Sequence, residues 1–208
     1  MTRHPRPAAV QVAIRRKRFG ETLVLRDVAF TVARGETVAL LGPSGIGKST
    51  LLRIVAGLDP EFEGEVLRPA RQALVFQEPQ LLPWRSALQN LRLVHPELSE
   101  GAAQAMLDRV GLEGRGGAFP RSLSLGQQRR LSLARAFAGR PELLVMDEPF
   151  VSLDPARAEA MLALTETLIA ETRPAVLFVT HALAEAERLA TRILELDGEP
   201  ATLIQSRR

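Results

Sequence analysis

The chain has 208 residues, 46% of them apolar, with 27 Lys+Arg against 24 Asp+Glu and a net charge of +3. That is enough for one substantial core with a small appended lobe, and the charge is too near balance to argue for nucleic acid. The absence of cysteine excludes disulfides and thiolate metal sites, and no apolar run approaches the roughly 18 residues of a membrane span.

Residues 1–9 read as a flexible, basic, proline-bearing arm without the apolar core of a secretory signal. The chain is therefore expected to be soluble and cytoplasmic, reaching a membrane only through a partner. Val10, Val12 and Ile14 alternate with polar or small residues, as in a half-buried strand. Arg15 to Arg18 follow, a run expected to be solvated, and then Phe19-Gly20. A second strand pattern, Leu23 to Val32, ends in the turn Arg34-Gly35-Glu36 and leads to the apolar run Thr37 to Leu41.

Gly42-Pro43-Ser44-Gly45-Ile46-Gly47-Lys48-Ser49-Thr50 then separates this strand from a helical pattern, Leu51 to Ala56. Two spaced glycines, a lysine and a hydroxyl between strand and helix are the pattern of a phosphate-binding loop. Glycines let backbone N–H groups turn inward around phosphates, where side chains would block them. Lys48 supplies a point charge to the β/γ-phosphates, Ser49 offers a hydroxyl to Mg²⁺, and the helix N-terminus adds partial positive charge. Gly57 is placed to end the helix, and Gly64 to Leu67 and Gln72 to Phe76 read as short strands.

From Gln77 onward the rhythm becomes helical. Trp84, Ala87, Leu88 and Leu91 fall at i, i+3, i+4, i+7, and Ala103, Met106, Leu107 and Val110 repeat the spacing before Gly111. An inserted helical subdomain over roughly residues 78–140 follows from this. After the glycine-rich connection Gly114 to Pro120, Ser124 and Gln127 have capping-box spacing and open a helix expected to run to about Gly139.

Leu143 to Met146 is a continuous apolar run ending in Asp147-Glu148, as in a strand buried on both faces with acids at its tip. Two adjacent carboxylates there repel each other without a cation. Asp154-Pro155 reads as an N-cap with proline at N1, opening a helix whose inner face is Ala158, Met161, Leu162, Thr165, Leu168 and Ile169. Ala175 to Thr180 is the next strand, with His181 at its tip. A helix from Ala182 to Ala190 and strand-like pieces at Arg192 to Leu196 and Ala201 to Ile204 close the chain. Strands alternating with helices predict an α/β phosphate-loop core with a mostly parallel sheet, preceded by an antiparallel β part. Ligands of such sheets lie at the carboxyl ends of the strands, where the loop at 42–50, Asp147, Glu148 and His181 can converge.

The phosphate loop, Gln77, Leu123-Ser124-Leu125-Gly126-Gln127, Asp147-Glu148-Pro149, Ser152-Leu153-Asp154 and His181, in this order, resemble the ATP-binding-cassette ATPases over roughly residues 10–204. The resemblance implies that ATP and Mg²⁺ are cofactors, that Ser49, Gln77 and Asp147 serve the metal, and that Glu148 is the general base or water positioner. It implies γ-phosphate contact for His181 and, for Gln77, a sensor of metal and attacking water. Phe19 holds the place of an aromatic that stacks on adenine; a strand-end packing residue is the other reading. Gly42, Pro43, Ser44, Gly45, Ile46, Gly47, Lys48, Ser49 and Thr50 would bind the phosphates. Ser124, Gly126 and Gln127 would reach the ATP held by a second copy, in a head-to-tail dimer. Leu125 departs from the glycine of that signature and is expected to be tolerated if it is an ordinary first-turn helical residue.

A lone cassette of this kind is similar to the energising subunit of an importer, and the stretch Phe76 to Trp84 is close to that of nitrate, sulfonate and taurine-type systems, with thiamine-type importers a second possibility. The implied partners are integral-membrane permease subunits and, indirectly, a solute-binding protein, with no nucleic acid. Leu81, Leu82 and Trp84 would either dock the permease or pack within the helical subdomain. A soluble cassette ATPase of DNA repair, the ribosome or assembly is the competing class, usually marked by insertions or tandem cassettes that are not seen here. The final strand-like segment is expected to leave no room for an appended regulatory domain.

Overall fold

The computed structural model describes residues 8–207, with side chains through 204. It divides into two compact units, Met1–Leu74 with Glu142–Pro149 and Arg173–Arg208, and Val75–Pro141 with Phe150–Thr172.

The first unit carries two sheets. In the smaller, β1 (Ala8–Phe19) lies between β2 (Thr22–Ala33) and β4 (Glu63–Leu67), both antiparallel to it. The larger is built from β3 (Thr37–Leu41), β5 (Gln72–Val75), β6 (Leu143–Asp147), β7 (Ala175–Val179), β8 (Arg192–Asp197) and β9 (Thr202–Arg207), in the order β5-β6-β7-β3-β8-β9. Pairs β6–β7, β7–β3 and β3–β8 are parallel and β8–β9 is antiparallel. The central strands are apolar and buried from end to end, as expected where a parallel sheet is covered on both faces. Helices α1 (Lys48–Ala56) and α6 (Leu183–Leu189) complete the unit.

One core joins both sheets and α1, with Val12, Ile14, Val38, Leu51, Ile54 and Leu177 among its buried members. Each such side chain stabilises the fold by about 1.5–3 kcal/mol. Backbone bonds from Arg26 N to Ala201 O and from Ala201 N to Val24 O, both 2.9 Å, tie β2 to the segment before β9.

The expected arm begins to pair earlier than its sequence suggests, since Ala8 and Ala9 already lie in β1; its residues 1–7 lie outside the described residues. The basic run is also not uniformly solvated. Arg15, Arg16 and Arg18 are exposed, but Lys17 is only 1% exposed. The cause is an irregularity in register between Ile14 and Arg16, which shifts the inward parity by one residue.

The second unit is helical: α2 (Ala87–Val94), α3 (Glu100–Arg109), α4 (Leu125–Ala138) and α5 (Pro155–Thr172), with α4 packed on the other three. Trp84 does not belong to α2, contrary to its spacing. A capping box between Ser86 and Gln89 starts that helix at Ala87 and leaves Trp84 67% exposed in the preceding turn. Asn90 holds this turn: its amide donates to the carbonyls of Leu82, Arg85 and Ser86, and its oxygen accepts from Leu82 N. Asp154 caps α5 by accepting from Arg157 N at 3.0 Å, as its sequence predicts.

Gly64 is the tightest joint between β1 and β4. Its φ is +140°, and a Cβ there would stand 2.1 Å from Ala13 O. Gly64→Ala is expected to destabilise the protein by at least about 2 kcal/mol, read as a lowered urea midpoint; an unchanged midpoint would refute this account of the joint.

Candidate active site

Register assembles the site. Leu40 of β3 and Asp147 of β6 both align with Val179 of β7, so the residues following these strands leave the sheet along one edge. That edge carries Gly42 to Thr50, Asp147-Glu148 and Thr180-His181.

The loop is shaped by its glycines. Gly42 has φ +152° and a Cβ would meet Leu196 O at 2.7 Å; Gly47 has φ +108° and would press on the side chains of Val24 and Leu25 at 3.0 Å. Gly47 is also the N-cap of α1, with no side-chain cap and no acid in the first turn. The first N–H groups of this helix are therefore left to an external acceptor, the arrangement that favours an anion. A pocket of about 200 Å³ is lined by Ser44, Gly45, Gly47, Lys48, Ser49, Thr50 and Glu148.

Lys48 is buried, and its ammonium donates to Gly42 O and Pro43 O, both at 2.8 Å. Burial lowers its pKa, while the charges of Glu148 and Asp147 oppose the shift. Ser49 Oγ donates to Asp147 Oδ1 at 3.1 Å. Burial raises the Asp147 pKa; the Ser49 hydrogen bond opposes this, and the charge of Glu148 adds to it.

Glu148 has φ +45°, a left-handed conformation that costs a residue with a Cβ about 1–3 kcal/mol. Its N–H bonds Val179 O at 3.1 Å, which fixes the turn at the strand tip, and its Oε2 lies 3.8 Å from Nδ1 of the exposed His181. A pair that sequence reading missed holds the histidine's own turn. Buried Thr180 donates its hydroxyl to the carboxylate of Glu185 and accepts from Ala182 N at 3.0 Å. Ala182, the N-cap of α6, has no side chain to do this, and a hydroxyl beside a strand-tip histidine was the available signal.

Phe19 ends β1, pairs with Thr22 and is 54% exposed. The remaining expected residues belong to the helical unit. Gln77 is an exposed loop residue after β5. Ser124 is the N-cap of α4, its hydroxyl accepting from Gln127 N at 3.3 Å while Gln127 Oε1 accepts from Ser124 N at 2.9 Å. Gly126 lies in the first turn, where an added methyl group would meet nothing within 4 Å. Leu125 is the first helical residue, 49% exposed and without positive φ, so its side chain costs this helix nothing.

A phosphate loop feeding α1, at the carboxyl edge of a parallel sheet with two acids at the tip of β6, one strand beyond β7, defines a phosphate-loop nucleoside triphosphatase. Residues 25–151 match the ABC transporter family. The chain is 46% identical to the aliphatic sulfonates import ATP-binding protein SsuB 1 of Nocardia farcinica, covering 92% of this chain and 79% of that one. Against SsuB 2 of Frankia alni it is 48% identical over 96% and 82% of the two chains. A solved structure of the ATP-binding cassette MJ0796, a post-hydrolysis dimer bound to ADP and Pi, superposes with a TM-score of 0.81 at 29% identity, covering 96% of this chain and 98% of that one. The chain belongs to the ABC transporter family and is an ATP-hydrolysing cassette. Among the described residues no helix is long and apolar enough to cross a membrane.

The raised Asp147 pKa sets a pH dependence. The folded protein holds this proton more tightly than the unfolded chain, so the associated stability is full below the unfolded pKa and is lost as pH rises through the folded one. Asp147→Asn should therefore raise the thermal midpoint of the nucleotide-free protein near neutral pH, the gap closing as pH falls toward about 4. A variant less stable at neutral pH would contradict the burial account.

Proposed function

We propose that this chain is the energy-coupling subunit of an import system, hydrolysing ATP between two copies of itself to drive a membrane permease, with organic sulfonates as the solute class. The ATPase mechanism rests on one observation above others, the glutamate held in a left-handed turn at the sheet edge beside the phosphate loop. The import reading rests on the names of the SsuB relatives, which this chain matches over most of its length and most of theirs.

In this reading the loop N–H groups and Lys48 hold the β/γ-phosphates, and Glu148 accepts or orients the proton of the attacking water. His181 stands 3.8 Å from Glu148, close enough for both to face one γ-phosphate. Ser49 Oγ and Asp147 Oδ1 are hard oxygen donors at the loop, and no cluster of three or more His, Cys, Asp or Glu among the described residues could cage a resident metal. Those donors suit Mg²⁺, which takes few protein ligands and completes its shell with phosphate and water. Held there with ATP, it would neutralise phosphate charge. Ser124, Gly126 and Gln127 would serve the ATP of the opposite copy, and Gln77 would be the residue that senses metal and attacking water. The dimeric MJ0796 structure supports the paired arrangement.

The permease docks on the helical unit, at the cytoplasmic face of the membrane, and a solute-binding protein delivers the cargo to it from the other side. Trp84 at 67% exposure, with Leu93 and Val94 each about half exposed, gives this unit an apolar surface such a partner would cover.

Glu148→Gln should lower hydrolysis by about 10²–10⁴ while ATP binding persists; turnover at the wild-type rate would remove Glu148 from this role. Tagged at native level, the protein should co-purify with detergent-solubilised membranes and a polytopic partner, and Trp84→Ala should reduce that recovery. Recovery only with ribosomes or DNA-repair proteins would overturn the import reading.

A further inference from the structure

Lys17 is a feature of the first unit that neither the phosphate loop nor the catalytic edge explains. A lysine rarely sits at 1% exposure unless something pairs it. Here Nζ donates to Asp59 Oδ1 at 2.7 Å and to Glu61 O at 2.8 Å, and Asp59 Oδ1 also accepts from Glu61 N at 3.1 Å. The ammonium is thereby fixed from the turn after α1, and it stands 4.5 Å from the centroid of the Phe19 ring.

That distance is within the range of a cation–π contact, and a desolvated ammonium makes the stronger kind. The consequence falls on Phe19. At 54% exposure the ring has little packing to hold its rotamer, yet the cation covers part of it and leaves the rest open to a second planar group. The hairpin that carries it is anchored to the phosphate loop, because Phe19 pairs with Thr22 and the adjacent Val24 and Leu25 press against Gly47. A flat ring at the end of a hairpin whose second strand meets that loop suits a purine base.

We infer that Lys17, tethered by Asp59, is a positioning residue for nucleotide binding: it clamps the Phe19 ring in the orientation that stacks on the base. The inference rests on Phe19 being the base platform. Isothermal titration with MgATP and with Mg-tripolyphosphate, which lacks the base, separates the two. Phe19→Ala should weaken ATP binding and leave tripolyphosphate binding unchanged. Lys17→Met should weaken ATP binding about threefold to tenfold, again sparing tripolyphosphate, and should add nothing in the Phe19→Ala background. KM for ATP should rise by the same factor with kcat within about twofold, and Lys17→Arg should restore most of the loss.

Should Lys17→Met not fold, Lys17→Met combined with Asp59→Leu leaves no carboxylate unpaired and carries the same test. An unchanged preference for ATP over tripolyphosphate in Phe19→Ala would remove the base platform itself. A loss in Phe19→Ala with none in either Lys17 variant would overturn the clamp and leave the platform standing, as would equal losses for ATP and tripolyphosphate in the Lys17 variants.

Discussion

The alignment of β3, β6 and β7 is the constraint on which the rest depends. Three strands with no charged residue before their tips are buried on both faces, and packing fixes their register, because a slip of one residue would exchange the side chains presented to the two covering layers. Register then decides which backbone atoms leave the sheet together. The loop, the two acids and the histidine meet because Leu40, Asp147 and Val179 are level. The site is thus precise in position without being stabilising in itself. It contains a buried lysine, a carboxyl whose burial resists ionisation and a glutamate in a left-handed turn, each offset by the apolar strands behind it.

Much of this was legible because it rests on local rules. Thr37 to Leu41 reads as a strand from its apolar continuity, and Gly57 ends α1 in the left-handed conformation, donating to Arg53 O and Ile54 O. The reciprocal cap of Ser124 and Gln127 follows from spacing alone. The phosphate loop needed only its glycines and the elements flanking it.

What was not legible depends on geometry that spacing does not encode. Alternation along β1 points Arg16 inward, and only the register irregularity gives that place to Lys17. Trp84 sits in phase with Leu88 and Leu91, but the stronger signal was the hydroxyl of Ser86, which ended the period one turn early. No propensity marks Glu148 for positive φ, since the bond from its N–H to Val179 O is made between strands distant in sequence. The partnership of Thr180 with Glu185 similarly appears only once the turn between them has closed.

The cap of α4 shows how a site can select among residues that a helix treats alike. Serine, aspartate and asparagine cap helices about equally well. At Ser124 one oxygen lone pair is already taken by Gln127 N, which satisfies the helix without using the hydroxyl proton. An aspartate could accept the same bond, but it would turn a negative charge toward whatever approaches the helix end, and it has no proton to offer. Where the approaching group is an anion, the choice of serine is made by that group and not by the helix. Threonine, which keeps both functions, is then the nearest chemical synonym, and aspartate, the closer synonym for the helix, is the opposite of one.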